Sequence, residues 1–412
     1  MVSRSQPLSH QTALRLVHLS DLHLGFRQYQ RLTSRGINQR EADVAQSFKH
    51  AIDKVIEIAP ELVLIAGDVF HQVRPPNSAI VQAFYHFSRL RAALPDAKVV
   101  MVAGNHDTPR TTESSGILRL FKQLGIEVVD GEAQVIEFPS LDLSILAVAK
   151  NHHPLPELKP SGGRRWNVLL LHGEVEGEYP EFARPKDMEG REIPEEHLHR
   201  TEWDYIALGH YHVYKAPNRR DNVYYSGATD YTSSNVWGEK AEERELGIKR
   251  KRIIERDLAT GEHTAHDLPP SREFLDLDPI SAKGLTTEEL NEAIAEAVEG
   301  VRGGIDDKVV RLAVYDVPRH VARQLDHRLL RDYRKRALHF QLDTHRPDTI
   351  RNTGSGAPGR RASLEDLVRD KLRERVIPND VDREALITLA MKYLKDAEDR
   401  ENSLAIPHAL EG

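Results

Sequence analysis

Residues 14–23 read LRLVHLSDLH, a mainly apolar run that ends in an aspartate and a histidine two positions apart. A short apolar run rich in branched side chains favours a buried β-strand. Side chains at positions i and i+2 of an extended chain point the same way, so Asp21 and His23 are expected to face one site together. This stretch therefore predicts a strand that delivers two polar side chains to a site at its carboxyl end.

The same arrangement recurs further along the chain, each time with polar residues directly after an apolar run. The stretches read LVLIAGDVFH (62–71), VVMVAGNHD (99–107), VLLLHG (168–173) and YIALGHYH (205–212). Ligand sites of open α/β sheets lie beyond the carboxyl ends of the strands, so these strand ends are expected to converge on one place. Amphipathic patterns over residues 38–58 and 77–94 predict helices between the first three strands, with Asn77 as the expected N-cap of the second. This alternation is typical of an α/β sandwich or a doubly wound sheet.

The polar residues at these strand ends share one property, which is that their side chains are oxygen or nitrogen donors without sulfur. The candidate metal ligands are Asp21, His23, Asp68, Asn105, His172, His210 and His212. The chain has no cysteine, which excludes disulfides, thiolate nucleophiles and cysteine-held metals. Such a donor set suits divalent Mn²⁺, Fe²⁺ or Zn²⁺. Because it exceeds what one tetrahedral ion uses, we expect two metals that share a bridging carboxylate.

Further along the chain the pattern changes to a smaller α/β domain. A capping-box sequence at Thr286 and a basic helix at residues 321–335 lie within it. A glycine- and proline-rich segment of linker composition follows, and then two helices with apolar stripes. The expected division is a main domain (1–260), a small domain (261–347), a linker (348–362) and a helical segment (363–412).

Composition limits the function classes. No apolar run is long enough to span a bilayer and the first residues lack the apolar core of a secretory signal, so we expect a cytoplasmic protein without a membrane role. The net charge of −7 argues weakly against nucleic-acid binding, yet basic clusters occur locally. Examples are Arg27/Arg31/Arg35/Arg40 and the run Lys249–Arg252. Each cluster is either a solvated face or a nucleic-acid contact.

In their order and spacing, the five strand-end motifs resemble those of the calcineurin-like metallophosphoesterases. The resemblance implies a two-sheet sandwich flanked by helices. It also implies that one metal is held by Asp21, His23, Asp68 and His212, and the second by Asp68, Asn105, His172 and His210. His106 would face the substrate, with Asp107 fixing its tautomer through a carboxylate–imidazole hydrogen bond.

Within that superfamily the sequence is similar to the SbcD-type DNA nucleases. The second motif continues as GDVFHQVRPPN (67–77), which places His71 as a second catalytic imidazole. The loop LGFRQYQRLTSRGINQRE (24–41) mixes arginines with aromatic residues, as a groove for a nucleic-acid backbone would. Candidate DNA contacts are Arg27, Tyr29, Arg31 and Arg74. The resemblance further implies a capping domain after the catalytic domain, and helices that dock on an SbcC-type ATPase.

The leading hypothesis is therefore a manganese-dependent DNA exonuclease, with endonuclease activity in addition, that processes DNA ends in double-strand break repair. The resemblance also implies a homodimer formed through helices of the catalytic domain, and a nucleoid-associated location. A small-molecule phosphodiesterase or phosphatase on the same metals is the alternative, because fold and metals alone do not select the substrate. A third hypothesis is a DNA-end scaffold in which catalysis is secondary, although the complete ligand set argues against it.

Overall fold

A computed structural model describes residues 14–109, 116–150, 155–176, 192–217, 222–347, 364–375 and 382–404. The chain divides into two compact units, Met1–Pro347 and Asp348–Gly412. The linker expected at 348–362 lies outside the described residues.

The elements are numbered in chain order. The strands are β1 (Arg15–Leu19), β2 (Leu62–Ala66), β3 (Lys98–Val102), β4 (Glu127–Val129), β5 (Gln134–Phe138), β6 (Leu143–Val148), β7 (Trp166–His172), β8 (Glu174–Val175), β9 (Glu192–Ile193), β10 (Tyr205–Gly209), β11 (Val223–Tyr225), β12 (Arg252–Asp257), β13 (His263–Asp267), β14 (Phe274–Ser281), β15 (Val309–Tyr315) and β16 (His339–Thr344). The α-helices are α1 (Gln39–Ile58), α2 (Asn77–Ala93), α3 (Val236–Glu245), α4 (Thr287–Glu299), α5 (Arg319–Gln324), α6 (His327–Arg336), α7 (Leu364–Glu374) and α8 (Arg383–Leu404).

Two large sheets form the sandwich of the main domain, and β8 and β9 pair separately. The first has the order β13-β12-β1-β2-β3-β4 and the second the order β11-β10-β7-β6-β5. β1 to β4 run parallel, as do β6, β7, β10 and β11, so their carboxyl ends share one edge in each sheet. One apolar core joins the sheets, with Val63 of β2 packed in the same cluster as Val168 of β7 and Ala207 of β10. The predicted two-sheet sandwich is confirmed.

The helices that cover the first sheet begin close to the predicted residues. Asn38 caps α1, since its side chain accepts hydrogen bonds from the backbone N–H groups of Arg40 and Glu41. The predicted cap of α2 is wrong, because Asn77 is the first helical residue and Pro76 holds the N-cap position without a side-chain bond. Proline has no side-chain acceptor, so α2 starts without a side-chain cap.

The main domain extends beyond the boundary expected at residue 260. β12 pairs antiparallel with β1, and β13 pairs in turn with β12, so residues up to Asp267 complete the first sheet. These strands carry charged side chains on the partly exposed edge of the sheet, which hides the alternation that a sequence pattern needs.

The capping domain, defined here as β14 to β16 with α4 to α6, has a three-stranded parallel sheet in the order β14-β15-β16. The capping box at Thr286 is confirmed, with Thr286 and Glu289 exchanging side-chain and backbone hydrogen bonds. The single basic helix predicted at 321–335 is instead two helices, α5 and α6. Asp326 interrupts the pattern because its side chain caps α6, accepting from the N–H groups of Arg328 and Leu329.

The second unit contains α7 and α8. The guanidinium of Arg383, at the start of α8, donates to the carbonyl oxygens of Leu372, Arg373 and Arg375 at the end of α7. The last carbonyl groups of a helix have no partner within the helix, so this contact caps α7 and links it to the start of α8. Over the part of the chain that the structure describes, none of the helices combines the length and apolar character needed to cross a bilayer.

Candidate metal centre

The site is built at strand ends whose backbone turns sharply. Asp21 (φ 52°), His23 (φ 45°), Asp68 (φ 51°) and His210 (φ 103°) all lie in the left-handed region that non-glycine residues avoid. Each such residue costs about 1–3 kcal/mol and persists only where the surroundings enforce it. Here the loops after β1 and β2 are tied together by hydrogen bonds from the N–H of Asp21 to the oxygen of Gly67 and from the N–H of His23 to the oxygen of Asp68. These left-handed turns direct the donor side chains into one shared space.

Two glycines are required by close packing in the same place. A Cβ atom on Gly104 would overlap the carboxylate of Asp68, and one on Gly209 would overlap the backbone oxygen of Ala66. Each glycine therefore lets two chain segments approach more closely than any other residue type would permit.

The structure brings all seven candidate ligands together in two groups. In one group the Nε2 atoms of His23 and His212 lie 3.0 Å apart, and Asp21 Oδ1 is 4.0 Å from His212 Nε2. In the other, the amide oxygen of Asn105 lies 3.1 Å from His172 Nε2 and 3.0 Å from His210 Nδ1. Ligand atoms of neighbouring coordination positions lie about 3.0 Å apart around an octahedral ion with bonds of about 2.1 Å. The observed separations therefore fit divalent ions.

Asp68 lies between the two groups. Its Oδ2 atom is 3.8 Å from His23 Nε2 on one side and 3.5 Å from His172 Nε2 on the other. Its Oδ1 atom accepts a hydrogen bond of 2.9 Å from the backbone N–H of His106. One carboxylate thus faces both histidine groups, and the backbone of the next motif fixes its orientation.

Hydrogen bonds and burial prepare the histidines to donate lone pairs. His172 Nδ1 lies 2.7 Å from the carbonyl oxygen of Ala66, which can only accept, so the proton is on Nδ1 and Nε2 faces the centre. Burial lowers the pKa of His212 to about 3, and it also places the pKa of His23 and His210 well below the usual range. These imidazoles are neutral at physiological pH, which is the form that binds a metal.

The carboxylates give the centre a preference for positive charge. Burial opposes the charged form of His172, but the neighbouring carboxylate of Asp68 outweighs it and raises the pKa of His172 to about 9. Without a metal this ring therefore also carries a proton on Nε2, which a bound divalent ion would displace. Burial likewise raises the pKa of Asp21 to about 7. A buried site that stabilises a cation and disfavours a further anion is suited to a divalent ion, which supplies the compensating charge.

The expected contact between Asp107 and His106 is wrong. His106 Nδ1 donates instead to the backbone oxygen of His71 at 2.8 Å. The buried carboxylate of Asp107 accepts from the N–H groups of Val69, Phe70 and Gly104, at 2.9–3.1 Å. Those backbone donors would otherwise be buried without partners, so Asp107 shapes the loop after β2.

Of the four side chains predicted to contact DNA, two contact the capping domain, one is in an exposed ion pair and one is exposed. Tyr29 stacks on His339 of the capping domain, with ring centroids 4.1 Å apart, and Arg31 donates to the backbone oxygens of Lys335 and Ala337. These two side chains therefore attach the loop to the capping domain. Arg27 is paired with Glu41 at 2.6 Å but remains 55% exposed. Arg74 is exposed.

Two members of the basic clusters are buried. Arg40 is fully buried, and Lys251 is 8% exposed and forms ion pairs with Glu239 and Glu243. The Lys251 ammonium also donates to the backbone oxygen of His212 at 3.1 Å. Sequence reasoning missed this support of the metal centre, because a run of four basic residues carries no signal for which of them is buried.

Comparison with known proteins shows which family model and which proteins the chain resembles. Residues 14–214 match the family model described as calcineurin-like phosphoesterase. The chain is similar to proteins named "DNA double-strand break repair protein Mre11". The match from Methanocaldococcus jannaschii is 32% identical over 54% of this chain and 58% of that protein. The match from Methanococcus maripaludis is 28% identical over 53% of this chain and 58% of that protein. The match from Methanosarcina mazei is 25% identical over 77% of this chain and 55% of that protein.

The chain thus spans little more than half the length of the relatives it matches. The matched region contains both sheets of the sandwich up to β10 and every candidate metal ligand. Sequence similarity, donor geometry and the two-sheet fold agree over the same residues. Over residues 14–214 the chain is therefore similar to the calcineurin-like phosphoesterases.

Proposed function

We propose that this protein is a metal-dependent phosphodiester hydrolase that cleaves DNA at its ends, as an exonuclease with endonuclease activity in addition, in double-strand break repair. The observation that carries the proposal is the convergence of the other six donors around Asp68, which faces both histidine groups. The names of the archaeal relatives support DNA as the substrate.

In this proposal one ion is held by Asp21, His23, Asp68 and His212, and a second by Asp68, Asn105, His172 and His210. Mn²⁺ is the proposed metal, on the resemblance to SbcD-type nucleases, with Fe²⁺ and Zn²⁺ as alternatives. Ions bound there would polarise the phosphate and lower the pKa of bound water. The chain's own contribution is to fix the donors rigidly, through the strained turns after β1, β2 and β10.

His106 is proposed to act on the substrate directly. Its Nδ1 proton is held by the backbone oxygen of His71, which leaves Nε2 to carry and deliver a second proton. A protonated Nε2 would neutralise charge on the phosphate or protonate the leaving oxygen, a role worth about 10²–10⁴-fold in rate. The ring of His71 stacks beside the His106 ring, with a centroid distance of 5.1 Å.

His106→Ala is therefore expected to lower kcat for DNA cleavage by about 10²–10⁴-fold and to leave Mn²⁺ affinity close to that of the wild type. Single-turnover cleavage at saturating Mn²⁺, with calorimetric Mn²⁺ titration, measures both quantities. His197→Ala, which removes an exposed histidine outside the site, is the matched control. A loss of Mn²⁺ affinity equal to the loss of rate would show that His106 is a ligand and not the proton donor.

Two apolar surfaces support the proposed partners. Leu389 (50% exposed) and Tyr393 (67% exposed) lie one turn apart on α8, as expected of a helix that docks on an SbcC-type ATPase. Val81 (63%) and Tyr85 (58%) lie one turn apart on α2, and we propose that this face joins two copies in a homodimer. Such a complex would work at the nucleoid in the cytoplasm.

The test is Mn²⁺-dependent cleavage of end-labelled linear duplex DNA, run beside a small chromogenic phosphodiester. Chelator-sensitive cleavage of DNA supports the nuclease. Turnover of the small ester without any cleavage of single- or double-stranded DNA would transfer the function to a small-molecule phosphodiesterase. DNA binding without hydrolysis of either substrate would favour an end-binding scaffold.

A further inference from the structure

His71, which follows β2, contacts two histidines of the site through two different groups. Its ring Nδ1 lies 3.3 Å from Nδ1 of His23, and its backbone oxygen accepts the Nδ1 proton of His106 at 2.8 Å. The sequence motif predicts a direct catalytic role for this imidazole. The contacts instead connect it to the neighbouring rings.

We propose that His71 is a positioning residue: its Nδ1 accepts the Nδ1 proton of His23, which directs the Nε2 lone pair of His23 at the metal centre. This inference rests on the proposed metal-dependent function. It assigns the side chain of His71 to metal affinity and its main chain to the orientation of His106.

The tautomer of His23 follows from its surroundings. Its Nε2 faces the centre, 3.0 Å from His212 Nε2 and 3.8 Å from Asp68 Oδ2. A nitrogen that ligates a metal carries no proton, so the single proton of the neutral ring must be on Nδ1. Among the described residues, the hydrogen-bond partner of that Nδ1 is His71 Nδ1. Partners of this kind fix the ring orientation of metal-binding histidines and make them more basic.

The His71 ring is itself held in place, as a positioning role requires. The Phe26 ring packs perpendicular to it at a centroid distance of 4.9 Å, and the His106 ring stacks on it at 5.1 Å. The backbone N–H of His71 donates to the oxygen of Leu24 at 3.0 Å, which ties the loop after β2 to the loop after β1. Both loops carry candidate ligands, and this hydrogen bond between the loops keeps His71 Nδ1 within reach of His23 Nδ1.

Three variants separate the two functions of His71. His71→Ala removes the acceptor at Nδ1 but keeps the main-chain oxygen that holds His106. His71→Asn restores an acceptor, because the Asn Oδ1 is bonded to Cγ as the His Nδ1 is. His71→Gln carries the same amide one methylene further out and serves as the matched control that cannot place its oxygen there.

We expect calorimetric titration to show Mn²⁺ affinity reduced by about 10–100-fold in His71→Ala and His71→Gln, and largely recovered in His71→Asn. DNA cleavage at saturating Mn²⁺ is expected to return to near the wild-type kcat in all three variants. We expect only the Mn²⁺ concentration for half-maximal activity to change, with a rise in His71→Ala and His71→Gln.

Unchanged Mn²⁺ affinity in His71→Ala would overturn the inference, and so would a kcat that stays about 10²-fold low at saturating Mn²⁺, the mark of a direct catalytic group. Failure of His71→Asn to exceed His71→Gln in affinity would also overturn it. These outcomes leave the proposed nuclease intact, since the wild type still binds Mn²⁺ and cleaves DNA. A wild type that binds no Mn²⁺ would instead remove the metal-dependent function, and the inference with it.

Discussion

Asp68→Asn is expected to reduce phosphodiester hydrolysis by about 10³-fold or more, on DNA and on a small ester alike. The side chain is 2% exposed and faces both histidine groups, so its charge serves both proposed ions. Metal ions contribute several kcal/mol of transition-state stabilisation, and each 1.36 kcal/mol lost is about a tenfold loss of rate. Asparagine keeps the shape and one oxygen but removes the negative charge, which isolates the electrostatic part of the role.

Initial rates at several Mn²⁺ concentrations measure the effect, with Asp53→Asn as a control that removes a carboxylate from an ion pair on α1. The Asp68 variant should not be rescued by excess Mn²⁺ if both ions depend on this carboxylate. Activity within about tenfold of the wild type would contradict a shared ligand, because it corresponds to a loss below 1.4 kcal/mol.

Arg40→Ala is expected to lower the free energy of unfolding by about 3–5 kcal/mol, which is the usual cost of removing one partner from a buried ion pair. Arg40 is fully buried and donates to Asp43 Oδ2 at 3.1 Å and Asp230 Oδ1 at 2.8 Å. It also donates to the backbone oxygen of Tyr231 at 2.9 Å, and its guanidinium lies 5.0 Å from the ring centroid of Phe274, the first residue of β14. The single side chain thereby links α1, the loop after β11 and the start of the capping domain.

Urea denaturation followed by circular dichroism measures this loss. The double variant Arg40→Met/Asp230→Asn is the matched comparison, since it removes the charge of Asp230 together with its partner and should recover part of the stability. A change below about 1 kcal/mol in the single variant would show that Arg40 behaves as a solvated surface arginine.

The metal centre could be predicted because its information is local. Each ligand directly follows a hydrophobic strand, and parallel strands bring such ends to one edge, so spacing alone identified Asp21, His23 and Asp68 as neighbours. The strands Leu62–Ala66 and Tyr205–Gly209 begin with the apolar stretches quoted at 62–71 and 205–212 for the same reason. A buried apolar run bounded by polar residues has few other ways to fold.

The contacts that support the site could not be predicted, because they join residues far apart in sequence. The Asp107 carboxylate was expected to reach His106, its neighbour in the chain, but backbone N–H groups of the loop after β2 are better placed. Arg31 meets carbonyl oxygens of the capping domain some 300 residues later. Neither composition nor periodicity records such pairings, which only the packed structure defines.

The central claim is that two divalent ions bind among these seven ligands, on either side of Asp68. Anomalous scattering at the manganese edge, from crystals grown with Mn²⁺, both counts and places the ions. We predict two peaks per chain, one within reach of Asp21, His23 and His212 and the other within reach of Asn105, His172 and His210. A single peak, or Mn²⁺ bound only away from Asp68, would contradict the claim.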